Sequence, residues 1–230
     1  MASPDHPPEG PSPFHTSHTD VEADLLEQAL GPGSSVLEAG CGRTTRLSAY
    51  RDRIDRLVGV DLDEPGGSTN EQVDEFLAAD LCGPLPFPDG SFDLVYSNFV
   101  VEHLERPPAA FAEWHRVLRP GGSVIVVTSN RSNPLMAAAR LLPPGVRTAV
   151  KGRGPGAEAR DVFPVRYRAN TPWSLTSQFT GAGFEAVQVV AVATLHRYAG
   201  QRRAAAALLR GFERSLPPSL RSTIVAWYRR

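Results

Sequence analysis

The chain has 230 residues, of which 41% are hydrophobic and 21% charged, which suits one globular domain and excludes two full domains. Its longest apolar runs are too short to span a membrane, and two cysteines are too few for a disulfide framework or a zinc site. The net charge is −1, but residues 1–130 carry 8 Arg and 21 Asp or Glu, whereas residues 131–230 carry 16 Lys or Arg and 4 acids. The basic part suits an anionic substrate or a membrane surface, and it equally suits pairing with the acidic part.

The N-terminal segment is rich in proline and polar residues. We expect this composition to make residues 1–18 a disordered lead-in, and the lack of a basic start and an apolar core excludes a secretory signal. A cytoplasmic location is therefore the default expectation. A first helix is predicted over Val21–Leu30, with Asp20 as its cap and "GPG" as its end.

The next elements alternate between strands and helices. The segments "SVLEAG", "RLVGVD", "DEFLAAD" and "SFDLVYSN" have the length and apolar content of buried strands. The segment "PPAAFAEWHRVL" is predicted to be a helix with prolines in its first turn, and "SVIVVTS" a strand buried on both faces. This order predicts an α/β fold with a doubly wound, mostly parallel sheet.

The pattern loosens in the basic part of the chain. Residues 131–170 contain the short helical stretch "PLMAAARLL" and a run rich in Gly, Pro and Arg, and we expect them to form a lid on the substrate side. A helix capped by Thr171 and the strand "FEAVQVVAV" follow. Residues 201–230 are predicted to form two helices separated by "LPPSL", so that residues 19–200 form the main domain with a C-terminal helical extension.

Polar residues and glycines occur where the predicted strands end. In "VLEAGCGRTT", Gly40 and Gly42 let the backbone approach a ligand closely, although glycines also serve plain tight turns. Asp61 closes the second strand 21 residues after Gly40, where a carboxylate can accept hydrogen bonds from a ribose diol. Asp80 closes the third strand and Asn98 the fourth, so polar groups gather where open α/β sheets bind ligands; the alternative for each is a cap or an Asx turn.

Four motifs within residues 34–130, "VLEAGCGRT", "VGVDLD", "AADLCGPLPFPDGSFDLVYSNFVVEHL" and "RVLRPGGSVIVVTSN", resemble those of class I S-adenosylmethionine-dependent methyltransferases, in particular the type 11 group. The resemblance implies a Rossmann-like fold and S-adenosyl-L-methionine as cofactor. The family often has a third glycine where this chain has Thr44. By the resemblance, the methionine end contacts Glu38, Gly40 and Gly42, the ribose contacts Asp61, the adenine contacts Leu62, Asp80 and Leu81, and Asn98 lies near the sulfonium.

Methyl transfer from a sulfonium depends mainly on holding the acceptor in line with the methyl group. An oxygen or nitrogen acceptor must also lose a proton, and His103 is the candidate base, with a structural hydrogen bond as the alternative. Arg166, Tyr167 and Arg168 are candidates for contacting an anionic acceptor, and their alternative is a solvated basic surface. His196 is a further substrate-side candidate. No metal site is predicted, because no cluster of His and carboxylates has ligand spacing.

The acceptor is predicted to be a small molecule or a group linked to a sugar or a lipid. The stretch "DVFPVRYRANTPWSLTSQFTGAGF" resembles the C-terminal part of bacterial family members associated with sugar-polymer or lipid pathways. A pI of about 6.6 argues against nucleic acid as the substrate.

Three alternatives stay open. A non-catalytic module would keep the fold and bind the cofactor without turnover. An NAD-dependent oxidoreductase needs G-x-G-x-x-G, but Thr45 stands where the third glycine belongs. Residues 201–230 are also candidates for peripheral membrane contact, because arginines flank their apolar residues; packing against the sheet is the other outcome. The apolar residues concerned are Leu208, Leu209, Phe212, Ile224, Val225, Trp227 and Tyr228.

Overall fold

Seven strands form one sheet in a computed structural model that describes residues 17–62, 70–140 and 164–230. The spatial order is β3-β2-β1-β4-β5-β7-β6; β1 to β5 run parallel, and β7 runs antiparallel to both of its neighbours. The strands are β1 Ser34–Ala39, β2 Ile54–Asp61, β3 Glu75–Ala78, β4 Phe92–Asn98, β5 Leu118–Ser129, β6 Glu185–Val192 and β7 Thr223–Arg229.

Helices cover both faces of the sheet. They are α1 His18–Ala29, α2 Pro107–Val117, α3 Pro134–Arg140, α4 Pro172–Gly181 and α5 Arg203–Ser215, with short 3-10 helices at Arg46–Tyr50, Leu195–Ala199 and Pro218–Leu220. Successive strand residues point to opposite faces. Val36 accordingly packs in the cluster that contains α1, and its neighbour Leu37 packs in the cluster that contains α2 and α4. The doubly wound, mostly parallel fold predicted from the sequence is confirmed.

Aromatic side chains join the helices of one face to the sheet. Phe179 of α4 stacks on Phe111 of α2, with ring centroids 3.9 Å apart, and on Tyr228 of β7, with centroids 4.1 Å apart. All three side chains are buried. As predicted, Thr171 caps α4, because its hydroxyl oxygen accepts a hydrogen bond from the Ser174 N–H at 3.0 Å.

The first helix starts earlier than predicted. It begins at His18, and Ser17 is its N-terminal cap rather than Asp20. The Ser17 N–H donates to the Asp20 carboxylate at 3.1 Å, so Asp20 acts from inside the first turn. The rest of the predicted lead-in, residues 1–16, lies outside the described residues.

The prediction of two C-terminal helices is wrong in its second half. α5 is a helix, but Thr223–Arg229 is the strand β7, hydrogen-bonded between β5 and β6. Its residues from Thr223 to Tyr228 are buried, because alternate side chains of this strand pack in the apolar clusters on the two faces of the sheet. The C-terminal segment is therefore part of the main domain, and a boundary at residue 200 does not hold.

The same finding limits the predicted membrane contact. Trp227 and Tyr228 are buried in the sheet, while Leu208 and Phe212 of α5 remain exposed. Within the described part of the chain, no helix has the length and apolar character needed to cross a membrane. The predicted helix after Asn133 is present as α3, and residues 141–163 of the predicted lid lie outside the described residues.

Candidate functional site

The carboxyl edge of the parallel strands brings the predicted cofactor residues together. β1 pairs with β2 on one side and with β4 on the other; Glu38 lies opposite Gly59 and Tyr96 in the two registers. Parallel strands end at the same edge of a sheet. Consequently the glycine loop after β1, Asp61 at the end of β2 and Asn98 at the end of β4 share this edge.

The glycine loop has backbone angles that favour glycine. Gly40 has φ +80° and Gly42 has φ +50°. A Cβ at Gly40 would lie 2.1 Å from Val100 Cγ2, so the loop packs directly on the segment after β4. At Gly42 an added Cβ would have no heavy atom within 4 Å. The loop therefore presents bare backbone to open space at Gly42.

Asp61 holds this loop in place. Its carboxylate accepts hydrogen bonds from the Gly42 N–H at 2.8 Å and from the Leu62 N–H at 2.7 Å. The carbonyl of Val60 accepts from the N–H groups of Gly40 and Cys41. Leu62, the predicted adenine neighbour, is 55% exposed. The end of β2 thus holds the glycine loop through hydrogen bonds, and the exposed side chain of Leu62 lies directly after it.

Two buried acceptor atoms at this edge have no hydrogen-bond partner: Glu38 Oε2 and Asn98 Oδ1. Burial chiefly raises the pKa of Glu38 to about 8, the charges of Asp61 and Glu22 raise it further, and a hydrogen bond with Thr45 opposes the shift. Buried acceptors normally have donors, because leaving them unsatisfied costs free energy. The two atoms are therefore suited to accept hydrogen bonds from a bound ligand, and an ammonium group would stabilise the Glu38 carboxylate.

Asp80 and Leu81 follow β3 at the outer end of the same edge. The N–H of Cys82 donates to Asp80 Oδ1 at 2.8 Å, which is the Asx turn named above as an alternative for this residue. Asp80 is exposed, whereas Leu81 is buried. The turn uses one carboxylate oxygen of Asp80.

The predicted base and substrate-side residues form a separate group. His103 Nδ1 lies 3.3 Å from the Pro164 carbonyl oxygen, which matches the structural hydrogen bond named as the alternative for this residue. The N–H groups of Arg166 and Tyr167 both donate to the Glu102 carbonyl, and Arg168 donates to the Glu105 carbonyl at 2.5 Å. These contacts join the segment after β4 to the segment before α4.

A cavity of about 240 Å³ lies at the carboxyl edge of β4 and β5. Its lining includes Phe99, directly after Asn98, and Ser129, the last residue of β5. It also includes Arg46, His18 and Arg197, none of which was predicted. Neither His103 nor any of the four substrate-side candidates, Arg166, Tyr167, Arg168 and His196, lines it. The sequence offered one signal for Arg46, its place just after the glycine loop.

The cavity wall is basic. Arg197 Nη1 lies 3.3 Å and 3.4 Å from the two ring nitrogens of His18. Arg46 Nη1 lies 3.6 Å from the carboxylate of Glu22. Burial chiefly, and then the charges of Arg197 and Arg46, lower the pKa of His18 to about 4, so its imidazole is neutral at pH 7.

Comparison with known proteins finds methyltransferases that are similar to part of this chain. Residues 37–126 match the family model described as "Methyltransferase domain". Malonyl-[acyl-carrier protein] O-methyltransferase of Serratia marcescens is 33% identical over 117 residues, which is 47% of this chain and 45% of that protein. Phosphoethanolamine N-methyltransferase 3 of Arabidopsis thaliana is 33% identical over 118 residues, 47% of this chain and 23% of that protein. The chain thus aligns with less than half the length of these relatives.

A solved S-adenosylmethionine-dependent methyltransferase from Mesorhizobium loti has the same fold. Its TM-score is 0.56 at 20% identity, and the match covers 91% of this chain and 97% of that one. The family match falls on β1 to β5, which form the edge described above. Over residues 37–126 the chain is therefore similar to S-adenosylmethionine-dependent methyltransferases, as its motifs predicted, and it has their fold.

Proposed function

We propose that this protein transfers the methyl group of S-adenosylmethionine to a small-molecule, sugar-linked or lipid-linked acceptor. The observation that carries the proposal is the pair of unpartnered buried acceptors, Glu38 Oε2 and Asn98 Oδ1, beside a glycine loop open at Gly42. S-adenosylmethionine offers an ammonium, a ribose diol and a flat adenine ring. The carboxyl edge of the sheet has a matching group for each of them.

Different residues at the edge would contact different parts of the cofactor. Glu38 and Asn98 would accept hydrogen bonds at the methionine end, next to the bare backbone of Gly40 and Gly42. The carboxylate of Asp61 would accept from the ribose hydroxyls while it holds the loop. The bound sulfonium supplies an activated methyl group, so the main task of the protein is to orient the acceptor. The adenine would lie among Leu62, Asp80 and Leu81.

The two named relatives support an acceptor that carries an anion. By their names, one methylates malonyl-[acyl-carrier protein] and the other phosphoethanolamine. His103 remains our candidate for accepting a proton from a hydroxyl or amine acceptor, through a ring that the Pro164 carbonyl orients. A carboxylate acceptor would need no base, because it is already deprotonated at neutral pH.

Calorimetry with S-adenosylhomocysteine, the demethylated product, tests the proposal. We expect the wild type to bind and Asp61→Asn to bind at least ten-fold more weakly, since a hydrogen bond to a charged group contributes about 1.5–3 kcal/mol. Asp52→Asn, a change of an exposed carboxylate in the turn before β2, is the matched control and should bind as the wild type does. Failure of the wild type to bind, or equal binding by Asp61→Asn, would refute the proposal.

Turnover separates an enzyme from a non-catalytic module. Wild-type protein with S-adenosylmethionine carrying a labelled methyl group should transfer the label to a component of a bacterial extract. Binding of S-adenosylhomocysteine without transfer to any component would favour the non-catalytic module.

A further inference from the structure

The 240 Å³ cavity is lined in part by residues that follow the proposed cofactor residues closely in the chain. Phe99 follows Asn98 directly, and Arg46 stands four residues after Gly42. The remaining walls come from the start of α1, the end of β5, α3, the segment after β6 and the start of β7. The cavity is therefore placed for the molecule that receives the methyl group rather than for the cofactor.

Within the described residues, the wall contains two guanidinium groups and no Asp or Glu. Arg46 has one carboxylate neighbour, Glu22, at 3.6 Å. Glu22 is buried and accepts a hydrogen bond from the Tyr96 hydroxyl, and burial raises its pKa. Arg197 has no carboxylate within salt-bridge distance in the described part of the chain, and its neighbour there is the neutral ring of His18.

The serine and threonine hydroxyl groups of the wall already have partners inside the protein. Ser129 Oγ donates to the Glu102 carboxylate at 2.9 Å. Thr194 Oγ1 lies 2.9 Å from Ser222 Oγ and 2.7 Å from Thr223 Oγ1. The strongest unmet hydrogen-bonding capacity of the cavity thus belongs to the two arginines, which bind carboxylate and phosphate oxygens in pairs.

We infer that this cavity binds the acceptor through an anionic group, a carboxylate or a phosphate, held by Arg197 and Arg46. The inference rests on the proposed function. A volume of about 240 Å³ is below the range of about 300–1,000 Å³ of sites that enclose a whole small ligand. Both arginine side chains reach solvent, so the cavity takes the charged end of the acceptor and the rest extends outward.

Small anions test the inference without knowledge of the acceptor. Protein saturated with S-adenosylhomocysteine is titrated separately with inorganic phosphate and with acetate, and the arginine side-chain N–H signals are followed by NMR. We expect saturable shifts of the Arg197 and Arg46 signals. A stronger response to phosphate indicates a phosphate-bearing acceptor, and a stronger response to acetate a carboxylate.

Arginine variants test whether the anions bind in the cavity. Arg197→Gln should weaken anion binding at least ten-fold, Arg197→Lys should restore part of it, and Arg210→Gln, on the exposed surface of α5, should leave it unchanged. The inference is overturned if neither anion gives a saturable shift, or if Arg197→Gln binds anions as the wild type does.

The same samples distinguish this inference from the proposed function. Their affinity for S-adenosylhomocysteine is measured first. If the wild type does not bind that compound, the proposed function and this inference both fail. If the wild type and Arg197→Gln bind it equally but no anion binds, only the inference about the acceptor fails.

Discussion

At the scale of single residues, substitutions of three glycines with positive φ can distinguish the effect of backbone strain from the loss of contact with a ligand. Gly40, Gly42 and Gly121 all have φ between +50° and +81°. A Cβ would meet no atom within 4 Å at Gly42 or Gly121, but it would meet Val100 at Gly40. Gly121 lies in β5 next to the chain end, where its N–H donates to the Arg230 carbonyl, so it serves as the control.

Alanine at each position gives a distinct expected result. Gly42→Ala and Gly121→Ala should each lower the free energy of unfolding by about 1–2 kcal/mol, the cost of a left-handed conformation. Gly40→Ala should lower it further because of the contact with Val100. Only the two loop variants should also bind S-adenosylhomocysteine more weakly. Urea denaturation and calorimetry measure the two effects, and equal ligand affinity in Gly42→Ala and Gly121→Ala would mean that no ligand lies against the loop.

The residues at the carboxyl edge of the parallel strands could be predicted because their positions follow from the local sequence around each strand end. Gly40, Gly42 and Asp61 each lie at a strand end, and parallel strands bring their ends to one edge. The wall of the cavity could not be predicted in this way. His18 and Arg197 are 179 residues apart in the chain, and they meet only once α1 and the segment after β6 have both packed on the sheet.

At the scale of elements, the second C-terminal helix that the sequence predicts is the strand β7 in the structure. A short apolar run such as "STIVAWY" fits a buried strand and a buried helix equally well, because it shows no polar face with a period. Pairing with a strand distant in the chain decides that this segment is a strand: Ser123 of β5 lies opposite Arg229 in the antiparallel register. Such a partner cannot be read from the local sequence. β1 to β5 were predictable because each is bounded by turns or helices.

Removal of residues 221–230 is therefore expected to abolish cooperative unfolding. The deletion takes away the strand that joins β5 to β6 and the ring of Tyr228 that stacks on Phe179. Circular dichroism during a thermal melt measures the loss, and increased binding of an apolar dye measures the exposed core. The double variant Leu208→Ser with Phe212→Ser, on the exposed side of α5, should melt cooperatively. A truncated chain with a normal melt would show that β7 is dispensable.

At the scale of the whole molecule, the uneven charge of the chain matches the charges of the two ligands proposed for it. Seven ion pairs join described residues, and six of them lie within residues 1–130. The seventh joins Arg166 to Glu105 at 3.9 Å. Pairing between the acidic and basic parts is thus a minor feature of the described structure. The acids Glu38 and Asp61 lie at the edge proposed for a positive sulfonium, and Arg197 lies in the cavity proposed for an anion.

The buried ionisable groups of the two regions also set the pH dependence of stability. The pKa of Glu38 is raised to about 8, so between its ordinary value of 4.5 and 8 the folded protein holds a proton that the unfolded chain has lost. Stability contributed in this way falls as the pH rises through that window. The pKa of His18 is lowered to about 4, so the unfolded chain gains a proton below 6.5 and stability falls as the pH drops toward 4. Burial lowers the pKa of His115 and His196 in the same direction.

These opposing slopes place the greatest stability of the free protein near pH 6.5. From there to pH 8 we expect a loss of about 2 kcal/mol, because one proton bound only in the folded state contributes about 1.4 kcal/mol per pH unit. Urea denaturation at several pH values measures this. Glu38→Gln should flatten the decline. Saturating S-adenosylhomocysteine should flatten it too, since its ammonium would stabilise the ionised carboxylate. If the wild type and Glu38→Gln lose stability in parallel over this range, the loss does not come from the proton that the Glu38 carboxyl group holds in the folded state.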